Sequence, residues 1–249
     1  MSSSSKIEWT EATWNPTTGC HKISPGCANC YAERFAERWR GIPGHPYQQG
    51  FDVKIWRERL TMPLSWKKPR LIFVDSMSDL FNDKVPEEFI KDVFSTMRKA
   101  NWHQFQLLTK RPKRMLEIAN NIEDWPSNVW AGVSIESQAW MWRSEVLKEI
   151  PARIRFLSCE PLLGSLKLSL ENLHWVIVGG ESGVGARPMD IEWVRDIRDQ
   201  CLKADVPFFF KQWGGVQKKK QGRELDGRTW DDLPKNVDTK TNKQLSLHL

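Results

Sequence analysis

Six short apolar runs punctuate this chain: Leu71–Val74, Phe105–Leu108, Val129–Val133, Ile154–Leu157, Trp175–Val178 and Pro207–Phe210. Runs of this length, bounded by turn residues, fit strands that are covered on both faces. An earlier strand is expected within Ile7–Trp14, which brings the total to about seven. Helical patterns separate the runs. Tyr31–Arg40, Pro86–Lys99, Pro112–Asn120, Ser137–Glu149 and Asp190–Leu202 each carry apolar residues at helical spacing, two of them opening on proline. Ser137 and Asp190 also stand where helix N-caps belong. Strand alternating with helix implies βαβ units and a parallel sheet. The expected architecture is α/β, a complete or partial (β/α) TIM-like barrel of about six to seven parallel strands.

The length of 249 residues favours one large domain over two small ones. That domain is expected over residues 1–215, with an insertion near 41–68 that is rich in Gly, Pro and Trp. A polar, lysine-rich tail of low apolar content follows over 216–249. Five cysteines in a chain this long do not make a disulfide framework, so a reducing compartment is expected. No stretch has the length and apolarity of a membrane span, and MSSSSKIEW has no apolar signal core. The expected location is the cytoplasm. A net charge of +6 favours an anionic partner such as nucleic acid, weakly, because acids and bases are interspersed. Fourteen tryptophans serve either as core and packing residues, the commoner use, or as stacking platforms for bases.

Cys20, Cys27 and Cys30 lie together in the spacing C-x6-C-x2-C, between the first expected strand and the first helix. That position puts them at the carboxyl edge of the sheet, where α/β folds collect reactive groups. A structural zinc site is closed by four ligands. Three thiolates leave one position of a metal centre open. His21 or Cys159 would complete a zinc tetrahedron. An iron–sulfur cluster needs no fourth protein ligand if a cofactor takes the fourth iron. Spacing leaves both readings standing.

Nearly every apolar run leads directly into polar residues: Asp75, Ser76, Ser78 and Asp79; Thr109, Lys110 and Arg111; Ser134 and Glu136; Ser158, Cys159 and Glu160; Gly179, Gly180 and Glu181; Lys211, Gln212 and Trp213. One such ending is an ordinary loop, but six in register would ring one mouth with charge.

Three cysteines in the loop after the first strand of such a barrel resemble the radical S-adenosylmethionine superfamily, although the first gap is longer than that group's usual three residues. The motifs WNPTTGC, CxxCYAE, LLTKRP, GVSIES, SCEPLLG, VGGESG and KQWGG resemble more closely a phage and prophage three-cysteine family, over roughly Ile7 to Gly215. The resemblance implies a [4Fe–4S] cluster on Cys20, Cys27 and Cys30, with S-adenosylmethionine on its fourth iron. It also implies reductive cleavage to a 5′-deoxyadenosyl radical, and a flavodoxin- or ferredoxin-like reductant protein as partner. By analogy Asp75, Ser76 and Ser78 are candidates for the cofactor's amino group, and Lys110 or Arg111 for its carboxylate. Glu136 and Glu160 are candidates for ribose hydroxyls. Gly179 and Gly180 would let the backbone approach the cofactor closely. Lys211 and Glu181 are the candidate catalytic residues, with Trp213 on the substrate side. The substrate class implied is nucleic acid or nucleotide. The rival readings are a zinc-stabilised nucleic-acid-binding protein without catalysis, and a zinc hydrolase or deaminase. The last lacks the H-x-E…P-C-x-x-C pattern.

Overall fold

A computed structural model describes residues 5–217 and 222–234. Seven parallel strands form one open, curled sheet with helices packed on it, a partial TIM-like barrel. They are β1 (Ala12–Trp14), β4 (Leu71–Val74), β5 (Gln104–Thr109), β6 (Val129–Ser134), β7 (Arg155–Cys159), β8 (Trp175–Gly179) and β9 (Phe208–Gln212), in that spatial order. A small antiparallel pair, β2 (Thr17–Thr18) with β3 (Lys54–Ile55), ties the start of the cysteine loop to the segment read as an insertion. The helices are α1 (Tyr31–Glu37), α2 (Glu87–Lys99), α3 (Pro112–Asn121), α4 (Trp142–Lys148) and α5 (Ile191–Lys203). The β7–β8 crossover carries no helix. No helix of the described residues is long and apolar enough to cross a membrane.

The pleat sorts the strand residues into two cores. Ile72, Val74, Phe105, Leu107, Ala131, Val133, Leu157, Cys159, Val176, Val178, Phe208 and Phe210 face the helices. The alternate positions face the inner, concave side: Leu71 and Phe73, Trp130, Phe156, Trp175 and Ile177, and Phe209, capped by Trp9. This period of two is the strand signature, and apolar residues at both phases are what a doubly covered sheet requires. The inner side is filled by aromatic rings, with Trp175 edge-on to Trp130 at 6.0 Å and to Phe209 at 5.9 Å. Gly132 makes room for them, since a Cβ there would lie 2.3 Å from the Phe156 ring. Several of the tryptophans therefore serve as core, the commoner of the two uses.

Continuing the same phase to the carboxyl ends places polar residues where the aromatics stop. Ser158 follows Phe156 and Lys211 follows Phe209, each by two positions on its strand. The concave side is thus greasy in its body and polar at one mouth.

The described part of the expected tail belongs to the packed body. Leu225 and Trp230 are buried in the helix-side core. Phe210 N–H donates to the Trp230 carbonyl at 2.8 Å, and the Trp175 indole donates to the Asp232 carbonyl at 2.8 Å. Low average apolarity hid two large anchors. Residues 218–221 and 235–249, also read as tail, lie outside the described residues.

Candidate functional site

The cysteine loop hangs over the polar mouth. β1 ends at Trp14, β2 follows, and Gly19 bridges to Ser78 beyond β4. Gly19 holds φ +83, and a Cβ there would overlap the Asp52 carbonyl oxygen at 2.2 Å, so glycine is required. Cys20 follows at once. Cys27 closes a short 3-10 turn, Pro25–Cys27, and Cys30 caps α1. All three cysteines are half-buried free thiols. Cys20 and Cys30 both pack on the small cluster of Ala32, Ala36 and Phe51, and Cys27 and Cys30 lie within electrostatic range of one another.

Hydrogen-bond donors surround the sulfurs. Asn82 Nδ2 and Arg111 Nη1 each donate to Cys20 Sγ at 3.6 Å, and Ser24 Oγ lies 3.8 Å from Cys27 Sγ. Burial, then the Asp79 charge, push the Cys20 thiol up to about 11, against the pull of Arg111 and Asn82. Burial also raises the Cys30 thiol, against the Glu33 and Ala32 amides at the start of α1. Metal-free, these groups favour the protonated thiol, and a bound cation supplies the charge that inverts this. Among the described residues no three His, Cys, Asp or Glu side chains stand close enough to share one metal ion. A multi-iron cluster holds its thiolates farther apart than one ion does. The donor set of three thiols, with N–H groups aimed at sulfur, suits such a cluster.

Three buried carboxylates from three strand ends fasten the loop, each beside one cysteine. Next to Cys20, Asp79 accepts from Thr109 Oγ1 at 2.7 Å and from Arg111 Nη1 at 2.8 Å, and Arg111 Nη2 donates to the His21 carbonyl at 3.1 Å. Next to Cys27, Glu136 accepts the Gly26 N–H at 3.3 Å and Arg143 Nη1 at 2.9 Å. Next to Cys30, Glu181 accepts Asn29 Nδ2 at 2.9 Å and is gripped by Arg187, whose Nη2 also donates to the Pro25 carbonyl at 3.0 Å. Burial alone would raise the Glu181 pKa, but the hydrogen bonds from Arg187 and Asn29 outweigh it and hold the carboxyl at about 2.

Most of the ring predicted from sequence is thereby committed to holding protein. Asp75 is buried at φ +59, a left-handed conformation that aspartate tolerates. Its Oδ1 accepts the Thr17 N–H at 3.0 Å and its Oδ2 the Thr17 hydroxyl at 2.7 Å. Ser78 Oγ donates to the Gly19 carbonyl at 2.6 Å, and Ser76 Oγ donates to Asn15 Oδ1 at 3.1 Å. A Cβ on Gly180 would lie 2.0 Å from the Trp213 carbonyl oxygen, so this glycine serves the close approach of β8 and β9. Gly179 lies against the Glu160 side chain.

Two features stay directed at the mouth. Glu160 pairs with Lys211 Nζ at 2.7 and 2.9 Å, and Gln212 reaches the same carboxylate at 3.4 Å. Gln212 Oε1 is buried without a hydrogen-bond partner, an acceptor left open beside that pair. Lys110 is half-buried within electrostatic range of Cys30, and its ammonium has no ion-pair or hydrogen-bond partner among the described residues. Asn82, Asn29 and Arg187 are participants that sequence reasoning missed, because nothing in their local sequence marks them as partners of a distant loop. Cys159 is not available as a fourth ligand. It faces the helix side, fully buried, beside Cys201. His21 turns to Asn82 at 3.2 Å and toward Asp83 at 3.6 Å.

Residues 4–234 match the family model described as Protein of unknown function (DUF5131). The chain belongs to this family. No curated protein matches it in sequence. Among solved structures, the chain is similar to three of spore photoproduct lyase. A Cys-to-Ser mutant of that enzyme is 11% identical, with a TM-score of 0.46 over 71% of this chain and 57% of that one. A double mutant with bound AdoMet and dinucleoside spore photoproduct is 8% identical, with a TM-score of 0.43 over 77% and 61%. The enzyme complexed with dinucleoside spore photoproduct is 10% identical, with a TM-score of 0.43 over 80% and 63%. The family member described here thus spans about six tenths of the length of the solved chains it matches.

The Asp75–Thr17 tie makes a pH prediction. Burial raises the Asp75 pKa from 3.8 to about 8, against the two Thr17 hydrogen bonds. Between these values the folded state keeps a proton that the unfolded state has lost. Stability therefore falls as pH rises from about 4 to about 8 and levels off above. Asp75→Asn removes that titration. Thermal melts of both proteins at pH 5 and pH 8 should show the wild type losing more than the variant.

Proposed function

We propose that this protein is a radical S-adenosylmethionine-type iron–sulfur enzyme acting on a nucleic acid or nucleotide. The observation that supports it most is the cysteine loop. Three free thiols, and no fourth cysteine within reach, are carried over the carboxyl mouth of a parallel sheet, each beside a residue fastened from a different strand end. In this reading Cys20, Cys27 and Cys30 would hold a [4Fe–4S] cluster, with S-adenosylmethionine as its cofactor. When bound, that pair supplies reductive cleavage of the sulfonium and hydrogen abstraction from the substrate.

The chain's own residues then have distinct tasks. Asp79 with Arg111, Glu136 with Arg143, and Glu181 with Arg187 hold the loop in place, which preorganises the ligands. This departs from the earlier expectation of ribose binding for Glu136 and catalysis for Glu181. Lys110 is the cation placed to receive a carboxylate near Cys30. Glu160 and Lys211 face the mouth as a hydrogen-bonded pair, able to orient a polar group or pass a proton between Nζ and Oε1. Asp75, Ser76 and Ser78 shape the loop's entry. The nucleic-acid partner, the flavodoxin- or ferredoxin-like reductant and the cytoplasmic location belong to the same reading. A net charge of +6 supports the anionic substrate.

The zinc-stabilised binding protein is the weaker reading, since Cys159 and His21 are both turned elsewhere and no group of ligands suited to one ion is present among the described residues. The test is anaerobic reconstitution with iron and sulfide, reduction with dithionite, and chromatography for 5′-deoxyadenosine. Formation of that nucleoside supports the proposal; none from a fully loaded protein overturns it.

A further inference from the structure

Beside its buried alanines, α1 carries aromatic residues open to solvent. Ala32 and Ala36 pack inward on Phe51, while Tyr31 and Phe35, one turn apart on α1, and Trp39, just beyond its end, are 54%, 44% and 36% exposed. The rings of Phe35, Trp39, His45 and Tyr47 form a connected ladder. Phe35 lies 6.4 Å from Trp39 and meets Tyr47 edge-on at 5.5 Å, and Trp39 stacks on the His45 ring at 4.1 Å with only 15° between planes. Singly exposed aromatics are ordinary, but a contiguous run of them marks an interaction surface.

Tyr31, one helical turn before Phe35, stands at the candidate site. Tyr31 immediately follows Cys30, and its hydroxyl donates to the Ser76 carbonyl at the end of β4. Arg38 sits on the same turn of chain with no ion-pair or hydrogen-bond partner among the described residues, and unpaired Lys110 waits at the mouth. Flat rings beside the unpaired Arg38, on a chain of net charge +6, complement unpaired bases joined by phosphates. A duplex hides its base faces and offers no such complement.

We propose that this ladder binds single-stranded nucleic acid by base stacking and leads one nucleotide to the cysteine site. The proposal deepens the substrate class of the reading above and rests on it for what happens at the mouth. The binding itself does not depend on that reading.

The test is fluorescence anisotropy of a labelled twelve-base DNA strand, an RNA of equal length and a hairpin duplex, with the full chain as purified, oxidised and without S-adenosylmethionine. Both single strands should bind with little sequence preference and more tightly than the duplex, more weakly as salt rises. Phe35→Ala and Trp39→Ala should each weaken binding by about tenfold. Trp39→Phe keeps a stacking ring and should stay within about threefold of wild type. Circular dichroism confirms that each variant is folded. Equal affinity in the Phe35→Ala/Trp39→Ala double variant overturns the proposal, as does equal affinity for the duplex. An effect of that double variant on reductant-protein docking alone, with strand binding unchanged, overturns it too. Failure to cleave S-adenosylmethionine would refute the radical reading and leave this result standing.

Discussion

Cys27→Ala is expected to lose its cluster and with it all reductive cleavage of S-adenosylmethionine above background, and Cys20→Ala and Cys30→Ala should do the same. Each thiol is one of three in the loop, and the other two cysteines are buried away from it. The controls are built into the chain. Cys159 and Cys201 are buried on the helix side of the sheet, with burial pushing both thiols well up from their ordinary range. Inert buried cysteines are packing residues. Cys159→Ala and Cys201→Ala should therefore keep full iron content and cleavage while losing some thermal stability. Iron assay, visible absorption near 400 nm and 5′-deoxyadenosine yield across the five variants make the measurement. Cleavage that survives Cys27→Ala, or that is lost only in Cys159→Ala, would contradict the assignment.

The largest expected effect on stability is at Arg143. Its guanidinium and the Glu136 carboxylate are both fully buried, 2.9 Å apart, and Arg143 Nη1 also donates to the Ser134 carbonyl at 2.9 Å. Arg143 Nε and Nη2 have no hydrogen-bond partner, but the guanidinium lies 4.1 Å over the Trp140 ring, which offsets part of their desolvation. Arg143→Leu leaves an unpaired carboxylate in the core. Removing one partner of a buried pair costs about 3–5 kcal/mol. For a chain of this size that is a fall of about 10 °C in melting temperature. Glu136→Gln/Arg143→Leu removes the orphan charge as well and should recover most of the loss. It leaves the Gly26 tether weaker, because the charge-assisted bond becomes a neutral one. Differential scanning fluorimetry with iron assay on the same samples separates the two effects. The prediction is a stable double variant that loads its cluster poorly. An Arg143→Leu protein as stable as wild type would show that the ion pair does not hold the loop.

How far the sequence carried is visible element by element. Leu71–Val74 was read at its observed limits, because four apolar residues between a basic turn and Asp75 leave no other boundary. Ile154–Leu157 was read short at its far end. Ser158 and Cys159 continue the ladder opposite Ile177 and Val178, since an inward serine at a polar mouth does not end hydrogen bonding. Ser137–Glu149 was read as one helix, whereas a 3-10 turn at Gln138–Trp140 precedes the shorter α4 and sets Trp140 under Arg143. The two-residue strands β2 and β3 carry no periodic signal at that length. At the site, the position of the cysteine loop was legible from its order after the first strand. The tasks of the acids were not. Glu136 and Glu181 look alike as strand-end carboxylates, and only the fold shows Gly26 at one and Asn29 at the other, each more than a hundred residues away in sequence.

The central claim is that Cys20, Cys27 and Cys30 hold a [4Fe–4S] cluster rather than one ion. It is tested most directly by metal and acid-labile sulfide analysis of protein purified without exposure to air. The expected content is about four iron and four sulfide per chain. A content of about one zinc per chain, without iron or sulfide, would contradict it.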